Sequence, residues 1–422
     1  MGHSGGSINV NLLLLSPAAR ELFQQAVAMS GAMGLNVFPL VKDRNEQNSR
    51  YIAYSVGCAK DNTTQFWNNA TAVNNVLACL RNKSALELSS QQRLAEKAGI
   101  PKLQGVALDS GPNALFPSSY VELLENITEV PLVTGTVSKE TLDSKFLIKD
   151  AVYVDQELLL WYCEQVFITR GYDYQNITIE VCAQEYNSSS RAINLADDIT
   201  YYVTHYNLAK RMSQSKQPVY LYQFEYAGIG DAFVRPNTPQ LVPEETPAHA
   251  QEMTYILGQH LGNFTKKDKK IQKIFSSFFA NFAKYGNPSP VGVDWEEFDP
   301  ARKNYFVIDF DEQLKMPGMK NGYHERAVRF WDEIIENMTG GVRIIESETE
   351  VPAEIKRPNN PVPIPSNSPP PISATEFEYT NGTNWKLLFW IGVGIIALLV
   401  IIYIITLCIC GNQRQKYYET ME

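Results

Sequence analysis

The chain has 422 residues, 44% of them hydrophobic, and a formal net charge of −9. That length can bury one large core or two domains, and the acidic balance weighs against nucleic acid as a partner. The first six residues, Met1-Gly2-His3-Ser4-Gly5-Gly6, contain a G-x-S-x-G sequence. Such a sequence forms a sharp strand-to-helix turn that lifts a serine Oγ clear of a sheet, with small neighbours because the backbone closes tightly around it. The helix side is legible as Ser7 to Leu15, stopped by Ser16-Pro17. Met1 leads straight into the turn, so neither a signal peptide nor the strand that feeds the turn is expected.

Further along, Phe23 to Gly31 reads as a core strand, and the polar stretch Ser89 to Arg93 as the opening of a helix. Val130 to Thr134 reads as a strand closed by Gly135, with Pro131 near its start. Residues 193–213 look helical, and Val219 to Phe224 is a β-branched and aromatic strand. Ile271, Ile274, Phe275, Phe278, Phe279 and Phe282 recur at helical spacing, and Gly286 ends that helix. Its apolar face serves either the core or a homodimer, the latter formed by helices 271–282 and 325–338 with Val328, Trp331, Ile335 and Met338; the core is favoured.

Eight prolines between Pro352 and Pro371 mark residues 339–384 as a semi-rigid stalk. At about 3.1 Å per residue, some thirty extended residues would reach roughly 90 Å. Residues 387–410 form an uncharged apolar run long enough to cross a bilayer. Residues 385–410 are therefore expected to be a transmembrane helix, with Trp385, Trp390 and Tyr403 as interfacial anchors, and residues 411–422 a cytosolic tail. Cys58, Cys79, Cys163 and Cys182 precede the span. Sequence-local pairing suggests Cys58–Cys79 and Cys163–Cys182, although four cysteines allow three pairings. Nine N-x-S/T sequons, at Asn62, Asn69, Asn82, Asn126, Asn176, Asn187, Asn263, Asn337 and Asn381, all lie before the span. They orient the chain as a single-pass type I membrane protein whose N-terminal part is extracellular or luminal. A sequon-rich outer part without a leader implies the C-terminal portion of a longer protein. In the tail, Tyr418-Glu419-Thr420-Met421 has the form of an endosomal or lysosomal sorting signal, and Cys408 and Cys410 lie at the inner end of the span.

A serine hydrolase also needs a histidine to carry the proton, a carboxylate to orient that histidine, and N–H groups for the oxyanion. Five histidines, His3, His205, His249, His260 and His324, are available, and chemistry alone does not separate the last four. The elbow, the segment Leu22 to Gly31, Cys79-Leu80-Arg81, Val106 to Ser110, Gly135 to Glu140, Pro247 to Tyr255, Gly286 to Pro290 and Phe330-Trp331 together resemble the carboxylesterase type B, or cholinesterase-like, family. The resemblance covers residues 1–338 and implies an α/β-hydrolase fold, truncated before the nucleophile elbow. It implies Ser4 as nucleophile, Glu140 as the acid, His249 as general base and acid, and Gly5 as an oxyanion donor, in the α/β-hydrolase order of serine, acid, histidine. Ser30 is implied to support the triad from behind.

Thr141 and Ala250 stand where the family prefers glycine, so each needs a backbone that tolerates a Cβ. The implied activity is hydrolysis of a small-molecule carboxylic ester through an acyl-enzyme, without metal or cofactor. The alternatives are acyl transfer by the same triad and neuroligin-like adhesion. Because the family's glycine-rich oxyanion loop lies before the elbow, the chain expressed alone is expected to be inactive and to aggregate.

Overall fold

The computed structural model describes residues 1–32, 45–60, 63–97, 109, 113–141, 143–149, 152–170, 172–229, 247–258, 262–289 and 292–341. The expected span at 387–410, nearly all of the expected stalk, the cytosolic tail and the sequons Asn62 and Asn381 lie outside these residues. Among the described residues no helix is long and apolar enough to cross a membrane.

Six strands form one sheet: β1 (Gly2–His3), β2 (Ala26–Met29), β3 (Leu132–Val137), β4 (Val219–Phe224), β5 (Tyr305–Ile308) and β6 (Gly318–Lys320). Their spatial order is their chain order. The first five run parallel, and β6 returns antiparallel to β5. A parallel sheet is covered on both faces, which is why β2, β3 and β4 are buried along their whole length.

Side chains alternate between the two faces. Ala26, Ala28, Leu132, Val219 and Leu221 join a core with helices α1 (Gly5–Leu15), α2 (Gln156–Arg170), α3 (Asn176–Glu185) and α4 (Val203–Met212). Val27, Met29, Val133, Tyr220, Tyr222 and Phe224 face the other way, onto α5 (Lys266–Tyr285). Disulfides join Cys58 to Cys79 and Cys163 to Cys182, the sequence-local pairing. The seven described sequon asparagines, Asn69, Asn82, Asn126, Asn176, Asn187, Asn263 and Asn337, are all exposed.

Several expectations need correction. Gly2 and His3 are strand residues, paired with Ala28 and Met29, so the turn does have a short strand leading into it. The polar helix starts at Ala85 rather than Ser89. Ser84 sets that start, because its Oγ accepts from Glu87 N–H while Glu87 accepts from Ser84 N–H. Strand β3 runs on through Gly135 to Val137. Gly135 is there because a Cβ would lie 2.4 Å from the Tyr222 ring, so the glycine marks a close approach and not a strand end.

Helix α5 is longer than expected, with a Thr265–Asp268 capping box at one end and left-handed Gly286 at the other. Its stripe Ile271, Phe275, Phe278, Phe279 and Phe282 is buried within the chain, and so are Val328, Trp331 and Ile335. These residues are core. The later helix is one run from Glu325 to Thr339 with a π-helical centre at Phe330–Ile335.

Candidate active site

The site lies at the C-terminal ends of the strands. Ser4 stands between β1 and α1 with φ +55°, a left-handed conformation unusual for serine. Its N–H donates to Met29 O at 2.9 Å, and its carbonyl accepts from Ser7 N–H and Ile8 N–H. The glycines around it answer to sterics. A Cβ on Gly2 would lie 2.1 Å from Gly6 O, and one on Gly31 would lie 2.4 Å from Ser4 O. Gly5 and Gly6, by contrast, have open space at their Cβ positions. The N–H groups of Gly5 and Gly6, at the start of α1, have no described backbone partner. A helix start with free N–H groups attracts negative charge.

Glu140 follows β3 and is fully buried. Its Oε1 accepts from Val137 N–H at 3.1 Å, and its Oε2 lies 2.6 Å from His249 Nδ1. The backbone repeats the link, since His249 N–H donates to Glu140 O at 3.0 Å. Burial opposes charging of His249, but the hydrogen bond and charge of Glu140 outweigh it and hold the imidazole above its ordinary range. Burial pushes the Glu140 carboxyl upward, against the pull of His249. The pair therefore competes for one proton across a short bond, which leaves Nε2 uninvolved in the link to Glu140.

Among the sequence-predicted residues, the structure joins Glu140 and His249 directly. No hydrogen bond links Ser4 Oγ to His249 among the described residues. The His3 ring lies 4.7 Å from the His249 ring. His3 packs on the base, and its Nε2 lies 3.5 Å from Glu252 Oε1. Ser30, also left-handed at φ +49°, donates its Oγ–H to Glu252 Oε1 at 3.0 Å. Glu252 was missed as a site residue. Its signal was available, three residues beyond His249 in the same segment. Tyr201, whose ring lies 5.5 Å from that of His249, carried no sequence signal. The other described histidines are held in neutral roles. His205 accepts from Gly31 N–H at 2.7 Å, and burial lowers its pKa to about 3. His324 stacks on Tyr202, and burial lowers its pKa likewise, to about 3.

A sheet whose strand ends carry a left-handed serine, a buried carboxylate and a histidine bonded to it defines a hydrolase-like α/β protein. The Carboxylesterase family profile matches residues 1–331, and the chain belongs to that family. Among curated proteins it is 24% identical to the medium-chain fatty acyl-CoA hydrolase precursor of Anas platyrhynchos, over 80% of this chain and 58% of that protein. It is 26% identical to carboxylesterase 1E of Mus musculus, over 79% of this chain and 59% of that one. Neuroligin-2 of Rattus norvegicus is 25% identical over 88% of this chain and 46% of its own length. The chain thus spans about half to three-fifths of these relatives. A PNB esterase structure superposes with a TM-score of 0.54 at 23% identity, covering 77% of this chain and 61% of its own, which marks the shared α/β-hydrolase-like fold.

Proposed function

We propose that the protein is a membrane-anchored serine carboxylesterase in which Ser4 attacks the ester carbonyl, His249 carries the proton and Glu140 holds His249 in place. The observation that carries this reading is the 2.6 Å bond between buried Glu140 and His249, on the same side of the sheet as the strained Ser4 turn. The chemistry follows in order. His249 Nε2 takes the Ser4 Oγ proton as the C–O bond forms, and the oxyanion is met by the N–H groups of Gly5 and Gly6. The proton then passes to the leaving alcohol, and water repeats the sequence on the acyl-enzyme. An alcohol in place of water would make the same site an acyltransferase. The apolar run at 387–410 supports the anchor, and the exposed sequons support an extracellular or luminal site.

The test is covalent labelling with a fluorophosphonate ester, run on the 422-residue chain and on the protein purified from its natural source. Labelling at Ser4, lost in Ser4→Ala, is expected. Each oxyanion donor is worth on the order of 10²–10³ in rate, and two are described. A folded protein from the natural source that resists the probe would refute the esterase reading. It would leave adhesion, which the reach of the neuroligin-2 similarity over 88% of the chain favours as the second reading.

A further inference from the structure

Glu140 sits on an irregular segment, Ser138 to Thr141, just past the end of β3. A carboxylate must be held to about half an ångström to orient a histidine. The bonds from Val137 N–H and His249 N–H fix Glu140 itself. They do not fix the residues on either side of it.

Ser138 N–H donates to Phe224 O at 2.9 Å, and the segment is otherwise tied to the stretch 193–202. Tyr202 O–H donates to Ser138 O at 2.9 Å. Lys139 Nζ donates to Ile193 O at 2.8 Å and to Asn194 Oδ1 at 2.9 Å, and lies 3.2 Å from Asp197 Oδ2. Thr141 donates both its N–H, at 3.0 Å, and its hydroxyl, at 2.6 Å, to Asp197 Oδ1. Asp197 is fully buried, so its carboxylate is available to this loop and not to solvent. The same stretch continues into a π-helical turn, Asp198–Tyr202, whose Tyr201 ring packs on His249. π-turns are rare and concentrate at functional sites. Its own rigidity comes from Asp198, which accepts from Arg191 at 2.9 Å and Tyr186 O–H at 3.0 Å.

We propose that Asp197 is a positioning residue: it grips Lys139 and Thr141, on the two sides of Glu140, and thereby holds the Glu140 carboxylate on His249 Nδ1. This rests on the reading of Glu140 and His249 as the acid–base pair. The groups facing that pair are His3, Glu252, Ser30 and Tyr201, with Lys139 and Asp197 behind Glu140. A buried charge is expensive unless it is well paired, and Asp197 is paired only to this loop among the described residues.

The experiment compares wild type with Thr141→Ser, Thr141→Val and Asp197→Asn in the full chain and in the protein from its natural expression host. Two quantities are read. The first is the His249 Nδ1 proton and the titration of that ring, by NMR of isotope-labelled histidine. The second is the rate of phosphonate labelling at Ser4. Thr141→Val removes the hydroxyl donor at nearly constant shape. It is expected to weaken or lose the His249 Nδ1 proton signal, to move the ring's titration toward lower pH, and to slow labelling on the order of tenfold to a hundredfold. Thr141→Ser, which keeps the hydroxyl, is expected to behave as wild type. A merely structural threonine would shift the unfolding midpoint and leave the histidine titration alone.

If Thr141→Val retains the wild-type histidine signal and titration, the inference is overturned. Should Asp197→Asn fail to fold, the two Thr141 variants still decide. If the wild type is never labelled but Thr141→Val still disturbs the histidine, the esterase reading fails and the positioning role stands.

Discussion

Ala250 follows His249 directly, and its φ is +73°. An L-residue with a Cβ pays roughly 1–2 kcal/mol in this left-handed region. Glycine would remove that strain but costs about 0.5–1 kcal/mol more in unfolded-state entropy. Ala250→Gly is therefore expected to stabilise by about 0.7 kcal/mol, the balance of the two terms. For roughly 300 ordered residues the unfolding entropy is about 0.6 kcal/mol/K, so the midpoint should rise by about 1 °C. Ala250→Val, with a branched Cβ in the same conformation, should lower it by about 2 °C. The assay is differential scanning calorimetry on both variants and wild type, with urea midpoints as a check. The turn also sets the reach of His249, because His249 N–H donates to Glu140 O and Gln251 N–H donates to Ala248 O across it. Glycine there loosens the base, so a gain in stability should come with an unchanged or lower rate of phosphonate labelling. A fall in the unfolding midpoint of Ala250→Gly, or a rise for Ala250→Val, would refute the strain argument.

Glu140→Gln should slow labelling on the order of 10⁴-fold while preserving the fold, because an amide holds the wrong tautomer of His249. The carboxylate holds the imidazole above its ordinary range. Reactivity, which needs neutral His249, should thus rise with pH through that raised value in wild type. In Glu140→Gln the same limb should move to lower pH, read from labelling rates across the range. The stability linked to His249 has the opposite sign: a raised folded pKa stabilises fully below the ordinary imidazole range and is lost as pH rises through the folded value. Replacing Cys163 and Cys182 with alanine opens a loop of 19 residues, which should cost about 3 kcal/mol by chain entropy, measured by urea unfolding. Gly31→Ala should abolish labelling with little effect on expression level, since its Cβ would lie 2.4 Å from Ser4 O and push on the turn; wild-type labelling of that variant would contradict the geometry.

Local patterns in the sequence were enough for the elements whose causes are local. Strand β4 is bounded where its β-branched and aromatic run begins and ends, and α1 stops at Ser16-Pro17 as expected. The acid and the base were reachable only through the family resemblance of the segments that carry them, since chemistry alone does not separate the histidines. What stayed hidden depends on contacts between distant parts of the chain. The role of Gly135 is written by Tyr222, on the neighbouring strand, which leaves no room for a Cβ. The apolar face of α5 reads the same in sequence whether it meets a sheet or a second chain, and only packing against β4 and β5 made it core.

The same division holds at the site. The sequence by itself supplied the glycine turn around Ser4, whose geometry is dictated by its small neighbours, and pointed to Glu140 and His249 through the family resemblance. The tertiary structure alone decided how that chemistry is held. Asp197 is one of two adjacent aspartates with nothing local to distinguish them. One reaches Thr141 and the other Arg191, because successive residues on a helix point about 100° apart and packing decides which partner each meets. Side-chain direction at that point is fixed by packing around the sheet, which no spacing within residues 193–202 encodes.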